Sequence, residues 1–373
     1  MKDTDALLSA VRLKKYFPMP KRSLFQRERT YLRANEEITL DIYRGETFGL
    51  VGESGSGKST FGRTVLQLQK PTSGKVIYYG RTVEEFAPEY TKKAETKGAG
   101  IDLTRLTPPE MRRLRKDLQI IFQDPYSSLN PRKTVGQLIE EGVATHGYFR
   151  QGSEEMRAYV LKVMEDCGLR ADMLYRYPHQ FSGGQRQRIC IARALAVRPK
   201  FVVCDECVSA LDVSIQSQIL NLLSDLKEKE KLTYLFISHD LSVVRYISDR
   251  IGVMYLGHIV ESGGAAEVFD NPRHPYTIAL LSAIPTTDGK KKERILLEGQ
   301  IPSPVSPPSG CPFHTRCPMS KEECSRVPAP IVEVEKGHFV ACHFASKSPR
   351  EKRGIMDKNE KKGREIDTKT ALR

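Results

Sequence analysis

The segment GLVGESGSGKST, residues 49–60, has the residue types and spacing that hold a phosphate group. It fits the pattern G-x-x-x-x-G-K-[ST], in which glycines let the backbone curl so that successive N–H groups point inward. Lys58 can reach the outer phosphate oxygens, while the Ser59 hydroxyl is suited to Mg²⁺. The predicted nucleotide contacts of this loop are Gly52, Glu53, Ser54, Gly55, Ser56, Gly57, Lys58, Ser59 and Thr60.

A second chemical pattern is CDEC, residues 204–207, in which two carboxylates separate two thiols. Such a C-x-x-C pair in a cytosolic chain suggests redox or metal chemistry. The preceding KFVV is instead typical of a buried parallel strand, whose carboxyl end is where open α/β sheets bind ligands. We therefore predict that Asp205 holds the Mg²⁺ hydration shell and that Glu206 orients or deprotonates an attacking water.

These residues need strands and helices to position them. TFGLV, residues 47–51, reads as a strand, and apolar residues at helical spacing follow the loop, which gives strand, loop and helix in the required order. FSGGQRQRICIARALAVRP, residues 181–199, predicts a further helix capped by Ser182. Its amino end is a second anion site, which one chain does not need unless each end completes a site on another molecule.

Length and charge limit the number of domains and the kinds of partner that the chain can have. A chain of 373 residues suggests about two domains of roughly 100 to 200 residues each. The net charge is +13, and the segment 346–373 holds ten basic residues against five acids, which predicts a solvated, disordered tail. The remaining basic excess serves solubility or an anionic partner, and nucleic acid is not expected. Because no apolar run approaches about 18 residues, the chain is expected in the cytoplasm.

Together these motifs resemble those of the ATP-binding cassette ATPases of ABC transporters. GESGSGKST resembles the family's Walker A, VVCDE its Walker B and SGGQR, residues 182–186, its signature. IIFQDP carries the Q-loop Gln123, SALD ends at Asp212 of the D-loop, and FISHD carries the switch His239. The resemblance covers about residues 8–265.

The resemblance implies an α/β fold of the P-loop NTPase class, with a RecA-like core, an antiparallel β subdomain and a helical signature subdomain. It implies ATP and Mg²⁺ as cofactors, with Glu206 polarising water, His239 contacting the γ-phosphate and Lys58 binding phosphate. Its cassettes pair head to tail, so that ATP held by one is closed by the signature of the other. The implied Mg²⁺ ligands are Ser59, Gln123 and Asp205. The implied nucleotide contacts outside the phosphate loop are Phe17, Gln123, Ser182, Gly183, Gly184, Gln185, Asp205 and Asp212.

Three features of the cassette are less regular. An aromatic near the amino end usually stacks on adenine in this family, and LKKYFP offers Tyr16 or Phe17, of which we favour Phe17. Cys207 stands where the family usually has Pro, which fixes φ and restricts its predecessor, so its absence is expected to loosen Glu206 slightly. Residues 81–110 are longer than expected before the Q-loop and predict a surface insertion.

The segments QDPYSSLNPR, YPHQFSGGQ and NPRHPYTIALLSAIP resemble the ATPase subunits of bacterial dipeptide and oligopeptide importers, most closely the second of their two paralogues. That resemblance continues through a C-terminal region at 266–345. It implies peptide import, although nickel complexes or short sugars stay open as cargo. A soluble ABC ATPase acting on nucleic acid is the alternative class.

The importer resemblance also implies partners. They are a paralogous cassette or a second copy of this chain, two integral membrane subunits, and indirectly an extracytoplasmic binding protein. The implied location is the cytoplasmic face of the plasma membrane, where the chain is peripheral.

Four late cysteines form the last pattern. Cys311, Cys317, Cys324 and Cys342 have the spacing C-x5-C-x6-C-x17-C after a proline-rich stretch. Four thiolates suit tetrahedral zinc, although zinc more often uses C-x2-C knuckles. Several dipeptide-importer cassettes resemble this segment and carry an iron–sulfur cluster, so we predict a small metal-binding lobe with a [4Fe-4S] cluster and keep zinc as the alternative.

Overall fold

The computed structural model describes residues 6–20, 29–82, 86, 100–284 and 295–346. The chain forms two compact units, each assembled from three segments. Unit 1 comprises the described residues of Met1–Leu13, Thr39–Phe48 and Gly62–Ser238, and unit 2 those of Lys14–Ile38, Gly49–Phe61 and His239–Arg373. The predicted disordered tail lies outside the described residues except for Ser346, and so does much of the predicted insertion at 81–110.

The described residues contain the following elements. The strands are β1 (Ala6–Pro18), β2 (Tyr31–Tyr43), β3 (Thr47–Val51), β4 (Ser73–Tyr78), β5 (Ile101–Asp102), β6 (Leu118–Ile121), β7 (Phe201–Asp205), β8 (Thr233–Ile237), β9 (Arg250–Tyr255), β10 (His258–Gly264), β11 (Ile331–Glu335) and β12 (His338–Ala341). The helices are α1 (Lys58–Val65), α2 (Pro108–Leu114), α3 (Pro125–Ser128), α4 (Val135–Thr145), α5 (Glu154–Asp166), α6 (Gly183–Leu195), α7 (Val213–Glu230), α8 (Leu241–Ile247), α9 (Ala265–Asp270), α10 (Pro275–Ser282) and α11 (Glu322–Arg326).

Unit 1 contains three parallel strands of the larger sheet and most of a smaller, separate sheet. The smaller sheet has the order β2-β1-β4-β5, and β4 and β5 are antiparallel with Ile77 opposite Asp102. In the other, β6, β7 and β8 run parallel, and β8 lies beside the start of β3. All side chains of β7 and β8 are buried. The apolar run before the CDEC pattern therefore forms the buried parallel strand that the sequence predicts.

The helical part of unit 1 is arranged around α6. This helix packs against α3, α4, α5, α7 and β6. Ser182 caps it through a capping box with Gln185, because each residue's side chain accepts a hydrogen bond from the other's backbone N–H. The predicted helix capped by Ser182 is thus present, although it ends at Leu195 and does not run on to Pro199. The parallel core, the separate β-sheet and the helices agree with the predicted ABC ATPase fold.

Unit 2 continues from the second part of β3, with the strand order β11-β12-β10-β9-β3. The strands β9 and β10 are antiparallel, and β12 returns to pair with β10, with Glu261 opposite Val340. Buried Glu261 accepts hydrogen bonds from the backbone N–H groups of Arg273 and His274 and pairs with His338 Nε2 at 2.8 Å. The region after residue 265 is therefore joined to the sheet of unit 2 by both strand pairing and a buried polar network.

None of the helices in the described part of the chain is long and apolar enough to cross a membrane.

Candidate functional site

The phosphate loop lies between β3 and α1 in unit 2. Gly52 and Gly57 have φ angles of +150° and +104°, a backbone conformation that L side chains rarely adopt. A Cβ atom would lie 2.1 Å from the carbonyl oxygen of Met254 at Gly52, and 2.1 Å from that of Ala34 at Gly57. These two glycines are therefore required both for the curl of the loop and for its close approach to neighbouring backbone.

Lys58 lies inside the loop and is almost fully buried. Its Nζ donates to the carbonyl oxygens of Gly52 at 2.7 Å and Glu53 at 3.0 Å, and to Ser56 Oγ at 3.4 Å. The ammonium group thus already has oxygen partners within the loop. Phosphate oxygens can replace those partners without leaving the charge unpaired in a buried position.

Glu53 is held by two residues that the sequence analysis did not identify. Its backbone N–H donates to Tyr276 Oη at 2.9 Å. Its carboxylate accepts two hydrogen bonds from the guanidinium of Arg316, at 2.8 and 3.2 Å. Nothing in the local sequence connects these residues, since Arg316 lies 263 positions away.

The two carboxylates of the CDEC pattern lie at the carboxyl end of β7 in unit 1. Asp205 is buried, and Arg63 Nη2 lies 3.2 Å from its Oδ2. Glu206 has φ +50°, and its N–H donates to the carbonyl of Ile237 at 3.0 Å. A non-glycine residue in the left-handed region is uncommon and is concentrated at functional sites.

The turn after Glu206 is held without proline. The carbonyl oxygen of Glu206 accepts from Ser209 twice, from its N–H at 3.1 Å and from its hydroxyl at 2.9 Å. Cys207 is buried, and its hydrogen bond with Cys204, together with burial, raises the pKa of Cys204 well above its usual value. Cys204 is a core side chain of β7, and Cys207 belongs to the turn.

The signature and the D-loop meet at two helix starts in unit 1. Asp212 caps α7 by accepting from the N–H of Ile215 at 3.0 Å, and Ser182 caps α6. A Cβ atom at Gly183 would lie 3.7 Å from Leu211. The structure therefore brings the segments of the two motifs together at the starts of α6 and α7, with Ser182 exposed. That this helix start binds an anion stays a prediction.

The comparisons with known proteins agree with this geometry. The family model described as ABC transporter matches residues 35–209, and the one described as oligopeptide/dipeptide transporter, C-terminal region, matches residues 260–324. The oligopeptide transport ATP-binding protein AppF of Bacillus subtilis (strain 168) is 47% identical, over 92% of this chain and 98% of AppF. OppF of Escherichia coli (strain K12), which carries the same description, is 48% identical, over 83% of this chain and 87% of OppF.

This chain belongs to the ABC transporter ATPases. Among solved structures, the ATP-binding cassette MJ0796 in a dimeric, post-hydrolysis state bound to ADP and Pi is 27% identical, with a TM-score of 0.57, over 69% of this chain and 98% of that chain. The cbiO1 protein from Clostridium perfringens is 25% identical with a TM-score of 0.55. This ABC ATPase thus has the family's fold, and ATP hydrolysis is its activity.

The remaining predicted contacts of this ABC ATPase are placed as follows. Gln123 is exposed at the end of β6, where Asp124 caps α3 through the N–H of Tyr126 at 2.8 Å. His239 is exposed and directly follows the buried Ser238 after β8. Both residues come two positions after the carboxyl end of a strand. Their roles at the nucleotide stay predictions.

The two candidate adenine-stacking residues differ in their surroundings. The Tyr16 hydroxyl donates to Glu36, which also pairs with Lys14 at 2.7 Å. Phe17 is half-buried, with Lys15 Nζ 4.8 Å from its ring centroid. The choice of Phe17 over Tyr16 stays a prediction.

The structure does not support the predicted metal site at the four late cysteines. None of the four is in a disulfide, and no group of three or more potential ligands in the described residues could hold a metal ion. Burial raises the pKa of Cys311 to about 11 and that of Cys317 to about 12, with smaller contributions from the charges of Cys324 and Cys342. Cys311 and Cys317 therefore have other thiols nearby, but a metal-binding lobe is not supported.

Proposed function

We propose that this ABC ATPase hydrolyses ATP to power the uptake of oligopeptides or dipeptides through partner membrane subunits. The observation that carries the proposal is the likeness to AppF, which extends over 98% of that oligopeptide transport protein. The match of residues 260–324 to the oligopeptide/dipeptide C-terminal region supports the same cargo class.

In the proposed chemistry, Lys58 and the loop N–H groups bind the phosphates, Glu206 polarises the attacking water, and His239 contacts the γ-phosphate. The predicted Mg²⁺ ligands offer hydroxyl, amide and carboxylate oxygens, which is the ligand chemistry that Mg²⁺ prefers. When bound, Mg²⁺ would neutralise charge that develops on the phosphates. The left-handed backbone of Glu206 and its contacts with Ile237 and Ser209 support an oriented carboxylate at this position.

The active unit is proposed to be a head-to-tail pair with a paralogous cassette or a second copy of the chain. The exposed amino end of α6 supports this, since Ser182 and its glycines present an anion site at a motif separate from the phosphate loop. The cassette MJ0796 is itself described as dimeric. The pair would work beneath two membrane subunits on the cytoplasmic face of the plasma membrane, with an extracytoplasmic protein delivering the peptide.

A [4Fe-4S] cluster at the four late cysteines is retained as a proposal, with zinc as the alternative. Four thiolates supply one ligand to each iron, and burial, with contributions from the other thiols, raises the pKa of Cys311 and of Cys317. Iron and acid-labile sulfide should be measured in anaerobically purified protein, where near-equal amounts are expected. Cys311→Ser should lower both, while Cys207→Ser should not. Colourless protein with stoichiometric zinc, or without metal, would reject the cluster.

Peptide uptake is the experiment that tests the function. Cells lacking this chain should take up a labelled oligopeptide only when wild-type protein is restored, and not when Glu206→Gln is expressed at the same level. Restored uptake of a nickel complex or a short sugar, without peptide uptake, would overturn the cargo. Salt-sensitive binding of nucleic acid by the purified chain, with no uptake of any of these, would favour the soluble class.

A further inference from the structure

One residue of the phosphate loop, Glu53, is fixed by the region of the chain that follows the cassette. Its carboxylate binds Arg316, and its backbone N–H binds the hydroxyl of Tyr276. Both partners lie within the segment 260–324 that matches the oligopeptide/dipeptide C-terminal region. All three residues belong to unit 2. We refer to Glu53, Tyr276 and Arg316 as the Glu53 clamp.

The ion pair of the Glu53 clamp has the features of a strong contact. Both Nη atoms of Arg316 take part, each with its own oxygen of Glu53, and the Arg316 side chain is only 8% exposed. Two charge-assisted hydrogen bonds in a fork fix direction as well as distance. They also raise the pKa of Arg316 above its already high ordinary value, so the guanidinium stays charged.

A buried aromatic cluster holds the residues that present the clamp. Phe313 is fully buried, and its ring centroid lies 5.2 Å from that of Tyr255 and 5.4 Å from that of Tyr276. The N–H of Arg316 donates to the carbonyl of Phe313 at 3.0 Å, within the short turn His314–Arg316. Packing of Phe313 therefore sets the place from which Arg316 reaches the phosphate loop.

The Glu53 clamp holds the part of the phosphate loop that contacts Lys58. The carbonyl oxygen of Glu53 accepts a hydrogen bond from the ammonium group of Lys58, as do the carbonyl oxygen of Gly52 and the hydroxyl of Ser56. A peptide group held through its N–H and its side chain has little freedom to rotate, so the carbonyl and the neighbouring N–H groups are held in the curled arrangement. Preorganised donors of this kind bind an anion without a further ordering cost.

We propose that Arg316 is a positioning residue of the nucleotide site, which holds the phosphate loop in its binding conformation through Glu53. The inference rests on the proposed role of this loop in binding ATP. It gives the C-terminal region of the importer ATPase a direct part in ATP affinity. Because Cys311 and Cys317 flank the turn that carries Arg316, a change at those thiols that displaces the turn also acts on the loop.

The test measures ATP affinity by calorimetric titration of the full chain. Arg316→Met should raise the Kd for ATP about tenfold, since hydrogen bonds to charged groups contribute on this scale. Arg316→Lys keeps the charge but not the fork, so a smaller rise of about threefold is expected. In steady-state hydrolysis, Arg316→Met should raise KM for ATP while kcat at saturating ATP stays within about twofold, which separates positioning from chemistry.

Two comparisons make the result specific. Glu53→Gln keeps the shape of the side chain and should raise Kd as Arg316→Met does, and the double variant should be no worse than either single variant. Arg326→Met removes an arginine that pairs with Glu322 on α11, where its side chain is 71% exposed. This matched control should leave Kd unchanged.

The results that would contradict the Glu53 clamp differ from those that would contradict ATP binding by the loop. If Arg316→Met binds ATP as wild type does, or if the double variant shows additive losses, the proposed positioning is wrong. Should Arg316→Met fail to fold, as judged by circular dichroism, an unchanged Kd in Arg316→Lys and Glu53→Gln overturns it equally. Lys58→Ala serves as the reference for the loop itself, because if this variant keeps wild-type affinity, the ATP-binding role of the loop is wrong rather than the clamp.

Discussion

Two carboxylates of this ATPase are paired with arginines, one in each unit, and the two pairs are built differently. In unit 2, Glu53 is held by both Nη atoms of Arg316, and that arginine is 8% exposed. In unit 1, Asp205 lies 3.2 Å from Arg63 Nη2, and this arginine is 41% exposed while the carboxylate is buried. The first pair buries its cation and the second leaves it open to water.

The difference indicates two uses of the same chemistry. A buried guanidinium that loses its carboxylate leaves an uncompensated charge, which costs about 3 to 5 kcal/mol, so the Glu53 clamp is expected to persist when nucleotide binds. An exposed arginine that loses its partner is solvated, so the cost of separating the second pair falls on the buried carboxylate of Asp205. Asp205 is therefore expected to release Arg63 only when another cation, such as the predicted Mg²⁺ with its hydration shell, takes its place. One pair is proposed to hold the loop, and the other pairs a carboxylate that is predicted to serve Mg²⁺.

The largest expected effect tests whether chemistry and positioning are separate. Glu206→Gln keeps the size of the side chain but removes the base, so kcat should fall roughly 10²- to 10⁴-fold while the Kd for ATP stays near wild type. Stopped-flow nucleotide binding and a phosphate-release assay on the same preparation measure the two quantities. Near wild-type turnover in Glu206→Gln would reject the catalytic assignment. Loss of ATP binding in this variant would mean that the residue positions nucleotide, as the Glu53 clamp is proposed to do.

A smaller effect is expected at the pair of Arg63 and Asp205. Arg63→Met removes the cation beside Asp205, so the Mg²⁺ concentration for half-maximal hydrolysis should fall by about threefold. Without Mg²⁺ the free energy of unfolding should fall by more than about 1 kcal/mol, because the buried carboxylate of Asp205 loses a cationic partner. Hydrolysis measured across a Mg²⁺ titration at saturating ATP checks the first value, and urea unfolding checks the second. A higher Mg²⁺ requirement would show that Arg63 orients Asp205 instead of competing for it.

The two pairs also mark how far the sequence could predict the site. Gly52, Gly57 and Lys58 belong to one short segment, whose spacing alone predicts the curled loop. Asp205 and Glu206 follow an apolar run that reads as a buried strand, so their position at the sheet edge was predictable as well. The role of Arg316 could not be predicted from the sequence. Its contact with Glu53, 263 positions earlier, depends on the tertiary packing of Phe313 and Tyr276, which no local sequence pattern contains.

The late cysteines are a case in which the sequence predicts a site that the structure does not support. Their spacing predicts a ligand set, and the fold does bring two of these positions together, since the N–H of Cys311 donates to the carbonyl of Cys324 at 2.7 Å. Spacing along the chain does not fix the distances and directions that a metal requires, and the described residues contain no group that could hold one. The same segment instead supplies Arg316, a contact that the cysteine pattern does not suggest.

The smallest expected effect separates the two contacts of the Glu53 clamp, which are the backbone contact with Tyr276 and the side-chain contact with Arg316. Tyr276→Phe removes the hydroxyl that accepts the N–H of Glu53 but keeps the ring that packs on Phe313. One neutral hydrogen bond contributes less than the charged fork of Arg316, so the Kd for ATP should rise about two- to threefold. Tyr234→Phe is the matched control, since it removes a buried hydroxyl that donates to the carbonyl of Leu223 in unit 1 and should leave Kd unchanged. Equal losses of affinity in the two variants would mean that any buried tyrosine hydroxyl acts through general stability. If the Kd for ATP is unchanged in Tyr276→Phe and tenfold higher in Arg316→Met, the contact of Arg316 with the Glu53 carboxylate alone positions the loop.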